Sequence, residues 1–406
     1  MVFNALLVLI PLLMPFHYNL TNLCILLMTL CWLVEGNWVL KKEQLLNKPI
    51  ILAFGLFYFM FFLGSFYSDN LSVAAANLER KFSLFLLPLV LGTSTYLREI
   101  KRATIFYVFI TSCTIATVIC LINALCLYVK FDDSNVFFHE QLSSIIDFHP
   151  PYFGLYLCLG ILMLLIEIFS GNQKFSSFLL IKIFLAAFFF IMLILLSART
   201  VTAFLIIVLV LLFIRYFYVR RKLILGLVLC VMVLLVTTGL IFSSSYLRDR
   251  IIRPLTSDIN VIDGGGETGL SIRLVKWKCS LQGILAHPIL GVGTGDSIDY
   301  LVACYEREEF WGMYPQYRFN SHNQYLETGL MLGMPGIIIF LVCMLIPLHQ
   351  AIKQKDHLLI GFVALYAFAS MTESLLERQW GIALFAYFSS FLVIKASNRR
   401  ADGKTD

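Results

Sequence analysis

Twelve stretches of about twenty apolar residues recur along the chain, and this recurrence limits it to folds that a lipid bilayer accommodates. They run at about 2–18, 20–40, 49–67, 82–97, 103–129, 151–170, 177–196, 198–218, 223–243, 323–347, 357–372 and 380–396. In hydrocarbon every backbone N–H and C=O must find a partner within its own segment, so such stretches read as helices. The charge content agrees. Only 14% of the 406 residues are Asp, Glu, Lys or Arg, against about a quarter in a soluble domain. A soluble enzyme, a disordered chain and a disulfide-stapled secreted domain are excluded. The expectation is an all-α integral membrane protein of about 12 transmembrane helices. Pro11 and Pro15 interrupt the first stretch and no small-residue cleavage site follows it, so it is read as a retained helix.

Basic residues orient a membrane chain. With a cytoplasmic N-terminus, the inner exits carry Lys41, Lys42 and Lys48; Arg98, Lys101 and Arg102; Lys174 and Lys182; Arg215, Arg220, Arg221 and Lys222; Lys353 and Lys355; and Lys395, Arg399, Arg400 and Lys404. The short outer connections hold only Arg80, Lys81, Lys130, Arg199 and Arg378. The expected organisation is nine spans within 1–243, one long outer loop at 244–322, three spans within 323–396 and a cytoplasmic tail at 397–406. Most cysteines sit in apolar runs as small hydrophobes, and no C-x-x-C pair occurs. Only Cys279 and Cys304 fall in a polar region, where a disulfide is possible.

The outer loop carries the unusual chemistry. Ser243 to Arg253 reads as a short amphipathic piece, and Gly264, Gly265 and Gly266 as a flexible turn. From Ser271 the spacing predicts a helix with Leu274, Trp277, Leu281 and Ile284 on its apolar face, and Arg273 and Lys276 beside it. The simplest use of such a helix is to lie on the membrane with its basic residues reaching headgroups. Pro288 stops it, and Gly291, Gly293 and Gly295 make tight turns behind. That glycine run lacks the lysine and hydroxyl of a phosphate loop. Asp296, Asp299 and Glu306 have no calcium-loop spacing, so no metal site is expected. His149 before Pro150-Pro151 and Tyr152 suits an entrance or an ordinary turn, and Glu373, Glu377 and Arg378 read as an outer charged connection.

His322 and Asn323 open the tenth apolar stretch; nine residues intervene before Gly333, and Gly336 follows. On a helix this places His322 and Asn323 at the outer surface and Gly333 about three turns deeper, where a small residue admits close packing. This pattern resembles the O-antigen ligase and polymerase-like membrane glycosyltransferases. The same family's arginine in a Ser-Arg-Thr context is similar to Ser197-Ala198-Arg199-Thr200 here. Its second arginine, at the start of a loop helix, is similar to Arg273 with Trp277, ahead of Pro288-Ile289-Leu290-Gly291-Val292-Gly293.

The resemblance implies a helical C-type glycosyltransferase, metal-independent and without a cofactor, working on the periplasmic face of the bacterial inner membrane. Its donor would be a glycan on undecaprenyl pyrophosphate. Its acceptor would be a sugar hydroxyl of lipid A core for a ligase, or a second lipid-linked glycan for a polymerase; the motifs are closer to the ligase pattern. Arginine forks suit the departing pyrophosphate. Arg199 and Arg273 take that role, with Arg80 and Lys81 as further candidates for the same anion. A histidine is suited to accept the acceptor hydroxyl's proton near neutral pH, which is the role of His322; Asn323 would orient sugar or backbone. A lipid-glycan transporter is the competing class, but transporters place charged sites near the midplane, and here they gather at the outer ends. Topology gives the first test. Ser257→Cys should react with an impermeant thiol reagent in intact spheroplasts and Ser397→Cys should not; the reverse pattern would overturn the orientation.

Overall fold

A computed structural model describes residues 2–170, 177–251, 269–308 and 318–401. The expected Gly264-Gly265-Gly266 turn, Lys174 and Lys404 lie outside the described residues. Helix is the only regular secondary structure among the described residues, and no strand occurs among them. They divide into two compact units, Met1–Val108 with Asn260–Asp406, and Phe109–Ile259.

The first unit opens with α1 (Val2–Leu13), α2 (Tyr18–Val34), α3 (Trp38–Asn47), α4 (Pro49–Ser65) and α5 (Leu71–Thr93). Helix α6 (Arg102–Phe131) starts in this unit and continues into the second. Apolar faces gain little by leaving lipid, so close packing and buried polar bonds select partners. Phe54 and Phe57 of α4 stack into the later helices, at 5.1 Å from Phe385 and 5.6 Å from Phe340. Buried polar bonds add direction: Trp32 Nε1 donates to Thr93 Oγ1 at 2.8 Å, and Tyr387 OH to the Leu7 carbonyl at 2.8 Å.

The second unit contains α7 (His139–Ser143), α8 (Pro150–Ser170), α9 (Ser177–Leu195), α10 (Arg199–Val219), α11 (Leu223–Ser243) and α12 (Ser245–Ile251). Its centre is α8, whose Phe153, Tyr156 and Cys158 are fully enclosed. Ser197 turns the chain between α9 and α10 with a left-handed φ of 52°, and Arg199 opens α10.

The first unit resumes with α13 (Gly269–Ala286), α14 (Ser297–Arg307), α15 (Gln324–Gln354), α16 (His357–Ala369) and α17 (Gln379–Ala401). Among the described residues, seven helices are long and apolar enough to cross a membrane: Arg102–Phe131, Pro150–Phe169, Ser177–Leu195, Arg199–Val219, Leu223–Phe242, Gln324–Gln354 and Gln379–Ala396. Helices α2 and α3, bent by 119°, make an eighth if they form one span. The remaining expected stretches coincide with α1, α4 and α16, which are shorter, and with α5, whose first half carries Glu79, Arg80 and Lys81. Length and charge therefore separate these four from the seven.

Helix α13 carries two unlike sides. Leu274 and Leu281 are exposed, together with Leu285, Ile289 and Leu290. The buried side places Ile284, a member of the expected apolar face, and Cys279 in a small core with Leu301, Cys304, Tyr305 and Leu330. Lys276 and Ser280 are buried on it too. The reason is covalent as well as apolar: Cys279 and Cys304 form a disulfide that fixes which side of α13 meets α14.

Gly333 also behaves differently from a simple packing residue. It breaks α15 with φ 69° and ψ −167°, a conformation essentially confined to glycine. The Pro288–Gly293 turn enters the break. Met334 N donates to Pro288 O at 2.8 Å, Val292 N to Leu330 O at 2.8 Å, and Gly293 N to Met331 O at 3.1 Å. A Cβ on Gly333 would lie 2.6 Å from the Ile289 carbonyl carbon, which is backbone and cannot swing away. Gly333→Ala should therefore destabilise the detergent-solubilised protein by more than the ~1–3 kcal/mol of a strained residue alone. Gly239→Ala, with nothing within 4 Å of the new Cβ, should be close to neutral. Thermal unfolding followed by size-exclusion chromatography compares the two.

Candidate active site

His322 sits on an unusual stretch of backbone. Its φ is 45°, left-handed for a residue with a Cβ, and the following Asn323 is extended at φ −158°. Such a residue costs of order 1–3 kcal/mol and persists where its surroundings fix it. Here His322 N donates to Asn320 Oδ1 at 3.1 Å. Asn323 then caps α15, its Oδ1 accepting from Tyr325 N at 3.0 Å and Leu326 N at 3.1 Å. The same side chain donates to the Met371 carbonyl at 3.0 Å, so its amide is engaged with backbone. Residues 370–376 close the other side: Gln324 N donates to Ser370 O at 2.8 Å, and Leu376 N to Gln324 Oε1 at 2.6 Å.

That second segment carries Glu373, which joins two of the expected site residues. One carboxylate oxygen accepts from Arg273 Nη2 at 3.4 Å. The other lies 3.4 Å from His322 Nδ1, an ion-pair distance without hydrogen-bond alignment. Arg273 and His322 each keep about a quarter of their side-chain surface exposed, while Glu373 keeps 11%. A bonded carboxylate thus stands behind two accessible groups.

Lys276, one turn after Arg273, completes the cluster from the same face of α13. It is 3% exposed, with Nζ 3.9 Å from the centre of the Phe319 ring. Burial pushes its amine down to about 7, Arg273 pushes the same way, and Glu373 pulls back up. Ser280 Oγ, one turn further, donates to Ser321 Oγ at 2.8 Å and ties α13 to the His322 segment. Glu327 holds that segment from beneath, accepting from Ser321 N at 2.8 Å and from Ser297 Oγ at 3.0 Å.

Arg80 and Lys81 form a separate pair around Glu377. Lys81 is fully buried, with Nζ 2.8 Å from Glu377 Oε1; Arg80 is 40% exposed and 3.9 Å from Oε2. Lys81 is therefore enclosed and neutralised, and Arg80 is the member that solvent reaches. Arg199 belongs to the second unit, at the N-terminus of α10.

In the sequence Glu373 reads as part of a charged connection and Lys276 as a headgroup contact. Nothing in linear spacing joins Glu373 to a histidine 51 residues earlier. The three-residue offset between Arg273 and Lys276 does put both on one helix face.

Residues 183–341 match the family model described as O-Antigen ligase. The match takes in Arg199, Arg273, Lys276, the Pro288–Gly293 turn, His322, Asn323 and Gly333. No curated protein matches the chain. The family match supports glycosyl transfer of the ligase or polymerase type by a multi-pass membrane protein acting on lipid-linked glycans.

The buried amine gives a test of the cluster itself. With its pKa lowered from 10.5 to about 7, the folded protein binds fewer protons than the unfolded chain between those values, so this group makes stability rise with pH across that window. Below about 7 the amine is charged in both states and its burial is fully unfavourable. Lys276→Met should raise thermal stability at pH 6, and the gain should shrink as pH rises from 7 towards 10.5. Melting curves of both proteins across that range measure it.

Proposed function

We propose that the protein is an O-antigen ligase-type glycosyltransferase of the bacterial inner membrane. It moves a glycan from undecaprenyl pyrophosphate to a sugar hydroxyl of lipid A core on the periplasmic face. The observation that carries this reading is the Glu373 carboxylate shared by Arg273 and His322, an anion-binding group and a proton acceptor held side by side. The match over residues 183–341 supports the reaction class. The Cys279–Cys304 disulfide supports an oxidising compartment for the 244–322 loop, since such bonds persist outside the cytosol. The expected twelve-span topology, with both termini inside, remains part of this proposal.

In the proposed reaction the acceptor hydroxyl oxygen attacks the anomeric carbon of the donor glycan. The bond from that carbon to the pyrophosphate oxygen breaks, and its electron pair leaves with undecaprenyl pyrophosphate. His322 takes the hydroxyl proton as general base. Glu373 orients the imidazole and stabilises the imidazolium that forms. Arg273 binds the charge developing on the leaving group, an interaction that strengthens in the transition state. Lys276 gains affinity for its proton when an anion approaches and adds a second cation. Arg199 is assigned to the pyrophosphate on the Ser-Arg-Thr resemblance, and Arg80 is retained as an outer contact for the same anion. Asn323 serves by fixing the backbone beneath His322.

Purified protein given a lipid-linked glycan donor should transfer it to lipid A core, without ATP and in excess EDTA. Product formed only from two lipid-linked glycans would identify a polymerase instead. Loss of activity restored by magnesium would overturn the arginine-based account. His322→Ala should slow transfer by ~10²–10⁴-fold with donor binding largely kept. Arg273→Lys and Arg199→Lys retain charge but lose the fork, so each should impair transfer less than the corresponding Ala variant. Normal turnover by folded His322→Ala protein would remove the general-base assignment.

A further inference from the structure

Outside the Arg273–His322–Glu373 cluster, the same unit contains a recess of about 840 Å³ between residues 67–72, the α4–α5 turn, and residues 287–300. Its size falls in the range of small-molecule sites, ~300–1,000 Å³. Its chemistry is mixed in a specific way. Three rings line it, those of Tyr67, His287 and Tyr300, and the last two meet edge to face with centroids 6.4 Å apart. Beside them stand the carboxylates of Asp69 and Asp299 and the amide of Asn70.

The walls are fixed in place by hydrogen bonds. Asp296 accepts from both Asp69 N at 2.9 Å and Asn70 N at 2.8 Å. Gly295 N donates to Ser68 Oγ at 3.0 Å, and Tyr67 OH to the Leu290 carbonyl at 2.6 Å. Asn70 Nδ2 reaches Asp299 at 3.1 Å. These bonds hold the Tyr67 ring and the Asp296 and Asp299 carboxylates before any ligand arrives, which lowers the ordering cost of binding. Among the described residues no bond engages the Asp69 carboxylate, the His287 imidazole or the Tyr300 hydroxyl.

The charge decides which ligand suits this recess. Asp69, Asp296 and Asp299 all line it, and the Arg318 guanidinium is already paired with Asp299. A phosphate would meet carboxylates there. A metal ion is equally unsuited, because no three His, Cys, Asp or Glu side chains among the described residues are gathered to hold one. A neutral sugar fits both halves of the chemistry. Its C–H face packs on an aromatic ring, and its hydroxyls donate to carboxylates.

We propose that this recess binds neutral hexose or N-acetylhexosamine units of a glycan engaged by the enzyme. The inference rests on the glycosyl-transfer reading for the ligand class. The recess is joined to the reaction segment by two links: Arg318, paired with Asp299, lies four residues before His322, and Ser297 shares Glu327 with Ser321. The same sugar chemistry occurs in the acceptor and in the far end of the donor glycan, and the two sources are separated by which substrate's KM responds.

Saturation-transfer NMR on the detergent-solubilised full chain tests binding directly, with free neutral hexose and N-acetylhexosamine trisaccharides as probes and inorganic pyrophosphate as control. Signal should pass to sugar ring protons in the wild type. Asp69→Ala and Tyr300→Ala should each weaken binding by about tenfold, a loss of one well-placed contact. Tyr300→Phe, which keeps the ring, should weaken it less. In transfer assays both Ala variants should raise KM for one substrate while leaving kcat within about twofold, the signature of lost uniform binding. A rise for lipid A core assigns the recess to the acceptor, and a rise for the lipid-linked glycan assigns it to the donor. Absence of saturation transfer to any of these sugars, or variants that bind and turn over like the wild type, would overturn the proposal. Sugar binding that follows this mutational pattern without transfer to any acceptor would support the recess and defeat the transferase reading.

Discussion

Three backbone hydrogen bonds between the Pro288–Gly293 turn and the broken start of α15 hold up everything around His322. A continuous α15 would pair the Leu330 carbonyl with the Met334 N–H, and Gly333 interrupts the ladder and frees both for the turn. The Met331 carbonyl has no helical donor in any case, because Pro335 carries no N–H. The turn enters, and with it come the end of α13 and the start of α14. Gly291, at φ 69°, permits the approach: a Cβ there would lie 2.4 Å from the Met331 carbonyl carbon. The His-Asn and glycine pattern is thus one device. Its first half bends the chain at His322 and caps the helix, and its second half opens the helix to receive the loop.

On this frame the protein gathers charge that a stable core would avoid. Lys276 is almost fully enclosed beside Arg273, with Phe319 beneath it. Two cations and a histidine converge on Glu373, which cannot neutralise all of them. A buried ammonium without a bonded partner among the described residues, as at Lys276, destabilises the fold. In the proposed reaction an incoming anion would relieve that imbalance. The disulfide and the Ser280–Ser321 bond hold α13 against this repulsion.

The sequence made the helical, membrane-embedded character legible because period and composition are local properties. It also located Arg273, the Pro288 stop and the His322–Gly333 spacing. For α13 the apolar periodicity marks Leu274 and Leu281, which stay exposed on the protein, while the disulfide and the buried Lys276 and Ser280 define a second, inward side that no apolar period announces. Glu373 was out of reach: its role exists only because Ser370, Ser374 and Leu376 bond to the start of α15. The break at Gly333 was visible as a glycine but not as a break, since a helical glycine and a φ of 69° look alike in one dimension.

The central claim is that Glu373 and His322 act as one catalytic unit. A double-mutant cycle on the single-turnover transfer rate measures this, using His322→Ala, Glu373→Gln and the double variant in folded, purified protein. If Glu373 works through the imidazole, removing it after His322 is gone should have little further effect, and the double variant should match His322→Ala. Two losses that multiply would contradict the account and make Glu373 an independent contributor.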